Sequence, residues 1–239
     1  CFDISPVSYL NELDNSAVLI KHESLHNWAE AKDNPTKHAT SLATTFALSW
    51  KRLVDEEKDA LPKRIFRACG YCAPNISIPK KLLDELADVS DKSLYRALGR
   101  LSELGLIEPT DTGPRLHPLM AEFAQLLDRD AKDKILPDLA NAMIKLTTRA
   151  LESGLPRPMS ILSEHLTAVA LAAGKDELQT TGGLWNNLAS YQQILADYKG
   201  AKKLFERALK IDEQVYGKDH PRVAIDVNNL GNVLQALGE

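Results

Sequence analysis

Residues 115–120 read R-L-H-P-L-M and put a histidine where it could do chemistry. His117 lies between a predicted β-hairpin and the start of a predicted helix. An imidazole titrates near neutral pH and can donate a hydrogen bond to a phosphate. The N-terminus of the following helix adds unsatisfied N–H groups and the positive end of its dipole. A phosphate contact is therefore one interpretation of His117. A histidine that caps the helix or packs in a polar crevice is the alternative.

Other reactive residue types are present without the partners that catalysis or metal binding needs. Cys69 and Cys72 form a C-x-x-C pair at a predicted helix end, whereas a thioredoxin-like pair begins a helix. No second pair exists to complete a zinc site, so two core cysteines are expected. His22 and His26 are interpreted as the polar face of a helix. The chain contains no phosphate-binding loop and no evident nucleophile with its base, so it is predicted not to be an enzyme by itself.

The composition indicates a soluble globular protein with more than one domain. The chain has 239 residues, of which 44% are hydrophobic and 26% charged, and its net charge is −4. A dedicated nucleic-acid binder needs a clustered basic surface, which this balance disfavours. The few cysteines, the absence of a secretory signal and the lack of a long apolar run lead us to expect a cytoplasmic protein. The start at Cys1 and the end inside a repeat pattern lead us to expect a piece of a longer protein.

Hydrophobic periodicity predicts helices through the first half of the chain, with Gly105 ending one of them in the left-handed conformation. Extended segments at 106–108 and 115–117 flank a Pro-Thr-Asp-Thr-Gly-Pro turn, which predicts a β-hairpin. Helix, helix, hairpin is the order of a winged helix-turn-helix. Pro118 can occupy the first turn of the helix that follows. The predicted helices are two short ones within 1–30, then 39–54, 55–69, 80–87, 91–104 and 119–127.

Residues 131–180 are predicted to be helical, with breaks at Pro137, at 154–158 and at Gly174. Thr181-Gly182-Gly183 is predicted to be a loop. The predicted fold class is therefore mainly α: a winged helix-turn-helix with a small β-hairpin, then a helical linker and the start of a tetratricopeptide α-solenoid.

The solenoid prediction depends on an internal repeat. L-W-N-N-L-A-S-Y-Q-Q-I-L at 184–195 returns 42 residues later as D-V-N-N-L-G-N-V-L-Q-A-L at 226–237. Small and large apolar residues fall where two antiparallel helices touch, as in the tetratricopeptide pattern. The usual tyrosine is replaced by Gln192. The period resembles that of kinesin-light-chain repeats, and a shift back by 42 residues indicates a degenerate repeat around Ile144. The residues at the marked positions are Trp185, Leu188, Ala189, Ala201, Phe205 and Ala208.

Such repeats resemble scaffolds that bind a protein or peptide along the first helix of each repeat. Four asparagines lie on those helices: Asn186, Asn187, Asn228 and Asn229. An amide both donates and accepts hydrogen bonds, so these side chains could pair with an extended peptide backbone. The alternative is that they form only a polar exposed face.

Two interpretations of the helix–helix–hairpin segment compete. In the first, the helix at 91–104 enters the major groove of DNA and contributes Lys92, Arg96 and Arg100. Residues 80–116, however, hold six Lys or Arg and seven Asp or Glu. This balance makes nucleic-acid binding the weaker interpretation.

The second interpretation is a resemblance to the winged-helix domain of STAND-type (NB-ARC) NTPases. Four stretches in order carry it: H-A-T-S-L-A-T-T-F-A-L-S-W-K-R-L at 38–53, A-P-N-I-S-I-P-K-K-L-L at 73–83, L-Y-R-A-L-G-R-L-S-E-L-G-L-I-E at 94–108 and R-L-H-P-L-M-A-E-F-A at 115–124. The resemblance implies four parts: 1–36, the end of the helical domain after the NTPase core; 37–130, the winged helix; 131–182, a helical linker or degenerate repeat; and 183–239, one full and one partial repeat.

The resemblance also implies a role for His117, because in that family the matching histidine contacts the β-phosphate of bound ADP and holds the protein closed. Family members often carry Asp after this histidine, where Pro118 stands here. ADP or ATP would be bound only together with the upstream NTPase domain of the same chain. The repeats would bind a protein or peptide trigger, and self-association would follow activation. A DNA-binding regulator and a non-catalytic adaptor remain as alternatives.

Overall fold

The computed structural model describes the backbone of residues 38–239 and the side chains of residues 45–239. This part of the chain is mainly helical, with one two-stranded sheet, as the sequence predicts. The two helical patterns within 1–30 lie outside it. The helices are α1 (His38–Lys51), α2 (Ala60–Cys69), α3 (Lys80–Ala87), α4 (Asp91–Glu103), α5 (Pro118–Asp130), α6 (Leu136–Glu152), α7 (Pro156–Lys175), α8 (Thr181–Ile194), α9 (Tyr198–Tyr216) and α10 (Pro221–Leu237); the strands are β1 (Glu108–Pro109) and β2 (Pro114–Arg115).

Helices α1 to α5 pack around α2, whose apolar face is fully buried. Phe66 of α2 lies between Trp50 of α1 and Phe123 of α5, with ring centroids 5.5 and 6.2 Å away. The tilted geometry is favourable for aromatic rings. Helix α2 begins at Ala60 rather than near residue 55, because the Asp55 carboxylate accepts the N–H groups of the two residues that follow Glu56 and holds a turn there.

The hairpin follows α4 and precedes α5, as predicted. Gly105 has a φ of +66° and ends α4, which confirms the prediction of a left-handed residue there. The strands pair antiparallel, with Glu108 opposite Arg115. The two side chains form an exposed ion pair across the hairpin. The hairpin backbone also bonds to the segment before α3, where the Ile78 N–H donates to the Pro114 carbonyl.

Helices α6 to α10 form a stack of antiparallel neighbours. Each helix contacts the next one along the chain, and α6, α8 and α10 also contact one another in order along one side. On the opposite side of α6 lies α3. We call α6, α8 and α10 the first-helix layer.

One predicted loop is wrong. The break predicted at Gly174 falls one residue before the end of α7 at Lys175, but Gly182 and Gly183 lie in the first turn of α8 rather than in a loop. Gly182 is helical because its missing side chain leaves room for the Asp212 carboxylate, which a Cβ would overlap. At this position, packing against α9 outweighs the low helix propensity of glycine.

A single apolar core extends from Leu53 in the connection after α1 to Ala208 in α9. Ala189, Ala201, Phe205 and Val233 form a second, smaller cluster between α8, α9 and α10. Buried His165 of α7 joins the two halves of the chain: its Nδ1 accepts the Ala73 N–H at 3.2 Å, and its Nε2 donates to the Ser77 carbonyl at 3.1 Å. Burial lowers the pKa of His165, so it holds these bonds as a neutral ring.

Within residues 38–239, none of the helices combines the length and the apolar character needed to cross a membrane.

Candidate functional site

The residues of the repeat pattern lie where the sequence predicts. Trp185, Leu188 and Ala189 of α8 are buried against Ala201, Phe205 and Ala208 of α9 and against the neighbouring helices. The Arg207 guanidinium lies 4.0 Å from the centre of the Trp185 ring and covers its outer side. This packing fixes α8 on α9 and thereby sets which side chains of α8 point away from the pair.

One position recurs in each helix of the first-helix layer. Each time, its side chain bonds to the helix that lies next to it on the N-terminal side of the stack. Lys145 of α6 pairs with Glu85 of α3. Asn187 of α8 donates to the Thr147 hydroxyl of α6 at 2.8 Å, and Asn229 of α10 donates to the Asn186 amide oxygen of α8 at 3.0 Å. These three positions are separated by the same 42 residues as the sequence repeat. We call them the back-bonding position.

Helices α6 and α7 stack on α8 in the way that α8 and α9 stack on α10. The degenerate repeat around Ile144 stays a prediction. Asn187 also donates to the Ile144 carbonyl at 3.3 Å and to the Thr148 hydroxyl at 3.1 Å.

The four asparagines predicted to contact a peptide are thus not equivalent. Asn187 is buried, and its amide faces α6. Asn186 and Asn229 are partly buried and bond to each other, whereas Asn228 is exposed. Peptide contact by these residues stays a prediction, and Asn228 is the one whose amide is most open to solvent.

A buried pair of carboxyl groups lies where α8, α9 and α10 meet, and sequence reasoning did not find it. Asp212 and Asp226 are each 2% exposed, and one oxygen of each, Asp212 Oδ1 and Asp226 Oδ2, is buried without a hydrogen-bond partner. Burial and the neighbouring Asp212 charge raise the pKa of Asp226 to about 7. The Arg222 guanidinium opposes this shift from nearby. No sequence pattern signals the pair, because it forms only when α9 and α10 pack.

His117 is the residue that caps α5. Its Nδ1 accepts the Leu119 N–H at 3.3 Å, and Pro118 occupies the first turn as predicted. The His220-Pro221 dipeptide does the same at α10, where Nδ1 accepts the Arg222 N–H at 3.2 Å. The capping role left open by the sequence is confirmed. The contact with ADP stays a prediction and would have to use Nε2, since Nδ1 is occupied by the cap.

The basic residues of α4 are only partly free. Arg100 approaches the buried Asp59 carboxylate at 3.5 Å and donates to the Arg52 carbonyl at 3.0 Å, so its guanidinium is held against the protein. Lys92 and Arg96 are exposed. One of the three side chains proposed for the DNA groove is thus already engaged.

Cys69 and Cys72 are both buried free thiols, as expected for core cysteines. Burial raises the pKa of both thiols, which keeps them protonated and unreactive.

The histidines at 22 and 26 lie outside the described residues. The letters H-E-S-L-H at 22–26 also fit H-E-x-x-H, a pattern in which two histidines on one helix face bind zinc and the glutamate is a general base. The interpretation as a polar face alone left this out. The zinc content of the purified chain would decide between the two.

Comparison with known proteins gives one match. Residues 180–239 match the family model described as Tetratricopeptide repeat. The repeat prediction is therefore confirmed for this part of the chain. No curated protein and no solved structure matches the chain.

Proposed function

We propose that the chain is a protein-interaction module whose first-helix layer binds an extended segment of a partner protein. The observation that carries this proposal is the tetratricopeptide match at 180–239, since repeats of this kind stack into extended binding surfaces. Asn228, with its exposed amide, supplies a donor and an acceptor suited to a peptide backbone. Asn186 at the matching position of α8 can add its amide N–H groups, since its oxygen accepts from Asn229. Asn187 instead holds the layer together.

A photo-crosslinking amino acid at position 228 tests this proposal. The same amino acid at position 214, which is exposed on α9, is the matched control. The proposal requires that a cell extract give discrete crosslinked proteins from position 228 and not from position 214. Identical products from both positions, or none from position 228, would contradict it.

We further propose that residues 37–130 form a winged-helix unit that regulates an NTPase domain of the same chain. The support is the helix–helix–hairpin order and the resemblance of its four stretches to the winged-helix domain of STAND-type NTPases. In this proposal the ADP-bound state is closed and the peptide-bound state is open. Each ligand then shifts the equilibrium only by its difference in affinity for the two states.

His117 is compatible with a phosphate contact through one atom, Nε2. With Nδ1 of His117 accepting from Leu119, the neutral ring carries its proton on Nε2, which can donate to a phosphate oxygen. Bound ADP would supply the negative charge that this donor and the α5 N-terminus attract. His117 would in this way hold both the helix and the nucleotide.

Nucleotide release from the full-length protein tests this second proposal. We expect ADP in the denatured wild type and much less in both His117→Ala and His117→Asn. The Asn variant is the control, because asparagine can cap α5 but lacks the imidazole donor. No nucleotide in the wild type would remove the NTPase proposal and favour an adaptor. Equal ADP in all three proteins would leave His117 as a helix cap only.

A further inference from the structure

A groove of about 640 Å³ lies at the N-terminal end of the helix stack, where the start of α3, the end of α6 and the start of α7 meet. Its volume falls in the range of about 300–1,000 Å³ that is usual for ligand sites. The floor is formed by buried Ala150 and Leu162. The side chains of Leu155 and Ile161 border it and are 62% and 52% exposed. Large apolar side chains this exposed, next to a groove, are typical of interaction sites.

All the charged side chains that line the groove are positive. Lys81, Arg149 and Arg157 line it, and no Asp or Glu does. This is unexpected in a chain whose net charge is −4. Within residues 45–239, neither Lys81 nor Arg157 takes part in an ion pair.

The third cation is only partly compensated. Arg149 donates to Glu85 at 2.7 Å, but Glu85 also pairs with Lys145. The two cations share one carboxylate, so this cluster keeps a net positive charge. The groove therefore combines an apolar floor with an excess of positive charge at its rim.

We propose that this groove binds an acidic peptide segment of a partner protein, with apolar side chains on the floor and carboxylates against Lys81, Arg149 and Arg157. The charge selects this occupant: an acidic peptide complements the rim, whereas a basic one would be repelled. The groove shares α6 with the first-helix layer, but none of the asparagines proposed above for peptide contact lines it. Position 228 of α10 and the groove at α3, α6 and α7 belong to different parts of the helix stack, so each can be tested without the other.

Fluorescence anisotropy with a labelled synthetic peptide that alternates glutamate with leucine and phenylalanine tests this proposal on the full chain. We expect binding that weakens as salt is added. Arg157→Glu and Ile161→Ser should each weaken binding about tenfold. The matched controls, Lys203→Glu and Leu195→Ser, change an exposed cation on α9 and an exposed aliphatic residue beside α8, and both should leave binding unchanged.

Two further peptides show which part of the chemistry matters. Replacing glutamate by glutamine, or leucine and phenylalanine by serine, should each weaken binding. The proposal is overturned if the acidic peptide binds more weakly than about 1 mM, or if Arg157→Glu and Ile161→Ser bind as well as their controls. Groove-dependent binding to phosphatidylserine vesicles without binding to the peptide would assign the groove to a membrane surface and overturn it. Loss of a chain dimer in Ile161→Ser, again without peptide binding, would assign it to self-association.

Discussion

The carboxyl group of Asp226 has a raised pKa with a structural explanation. It is buried beside Asp212, and two carboxylates so close cannot both ionise at low cost. The pair is therefore most stable with one shared proton. A proton held in this way connects the α9–α10 contact to the pH of the solution.

The pH dependence of stability follows from the direction of the shift. The pKa of Asp226 is about 7 in the folded chain and about 3.9 when unfolded. The folded state therefore binds the proton more tightly, and the stabilisation is lost as pH rises from about 4 through 7. We expect urea unfolding at pH 5 and pH 8 to show this loss for the wild type. Asp226→Asn should remove most of it and be the more stable protein at pH 8, by about 1 kcal/mol or more.

The control is Asp219→Asn, which neutralises an exposed carboxylate in the loop before α10. This variant should retain the wild-type pH dependence. A wild-type and an Asp226→Asn curve that run parallel between pH 5 and pH 8 would contradict the shared proton.

The burial of a single residue could be predicted where a local sequence pattern determines it. Trp185 and Phe205 are core residues because the spacing of large and small side chains along two helices already requires it. The partners of Asp226 and His165 could not be predicted in the same way. His165 bonds to residues about ninety positions earlier, and no local spacing encodes such a contact.

Among the helices, the back-bonding position determines how the first-helix layer holds together. At α8 this role falls to Asn187, whose buried amide donates to three oxygen atoms of α6. Replacing it would leave the buried Thr147 hydroxyl without this donor. The same residue type one position earlier in the next repeat, Asn228, is exposed and makes no such contribution.

We therefore expect Asn187→Ala to lower the free energy of unfolding by about 2 kcal/mol, because buried polar groups lose their partners. Asn228→Ala should change it by less than about 0.5 kcal/mol. Chemical denaturation of the two variants provides the measurement. Equal effects would mean that the α6–α8 contact does not depend on the amide.

Two glycines in helices allow a second matched pair. In Gly182→Ala the new methyl group would overlap the buried Asp212 carboxylate, whereas nothing lies within 4 Å of a Cβ at Gly231 of α10. Gly182→Ala should lower the melting temperature, with a cost of about 1–3 kcal/mol. Gly231→Ala should raise it, because alanine favours a helix over glycine by about 1 kcal/mol. Stabilisation by both changes would show that α8 can shift away from α9.

Helix boundaries were predictable where the chain carries its own stop and start residues. Pro79 and Asp88 flank α3, and the observed range 80–87 is the predicted one. The start of α8 was missed because adjacent glycines normally indicate a loop. Only the packing of Asp212 against Gly182 explains why they are helical, and that contact joins elements distant in sequence.

At the scale of the whole molecule, one apolar core extends from the first five helices into the helix stack as far as α9. His165 adds two hydrogen bonds across this contact, and both groups it binds are backbone atoms of the 70–79 connection. A displacement of α7 therefore breaks bonds in the connection before α3. The two halves are mechanically coupled, which any switch between them requires.

His165→Leu should uncouple the connection from α7 while keeping the interior filled. The Ala73 N–H then lacks its partner, at a cost of about 1–3 kcal/mol. Hydrogen–deuterium exchange should become faster in peptides covering 70–79 and stay unchanged in α9. Ser163→Ala, which removes a hydroxyl bond confined to α7, is the control. Unchanged exchange at 70–79 in His165→Leu would show that the core alone maintains the coupling.

The mainly helical class, the hairpin and the repeat could all be predicted, since each leaves a periodic or local signal. The continuity of the core across the predicted boundary at residue 130 could not. It depends on how α6 packs against α3 and on how α7 bonds to the 70–79 connection, and hydrophobic periodicity gives the buried face of a helix but not its partner.

At the back-bonding position, every contact is made with an earlier part of the chain. This order matters while the protein is being synthesised. Each of these side chains finds its acceptor in a part of the chain that has already been synthesised: Glu85 for Lys145, Thr147 for Asn187 and Asn186 for Asn229. A helix that leaves the ribosome can therefore pack on a segment that has already been synthesised, and this contact needs no segment that is synthesised later. The contact of Lys145 is ionic, whereas those of Asn187 and Asn229 are hydrogen bonds from side-chain amides. The attraction between Lys145 and Glu85 therefore acts over a longer range than the two hydrogen bonds. Growth of the stack from its N-terminal end is thus favoured by the position of each partner earlier in the chain.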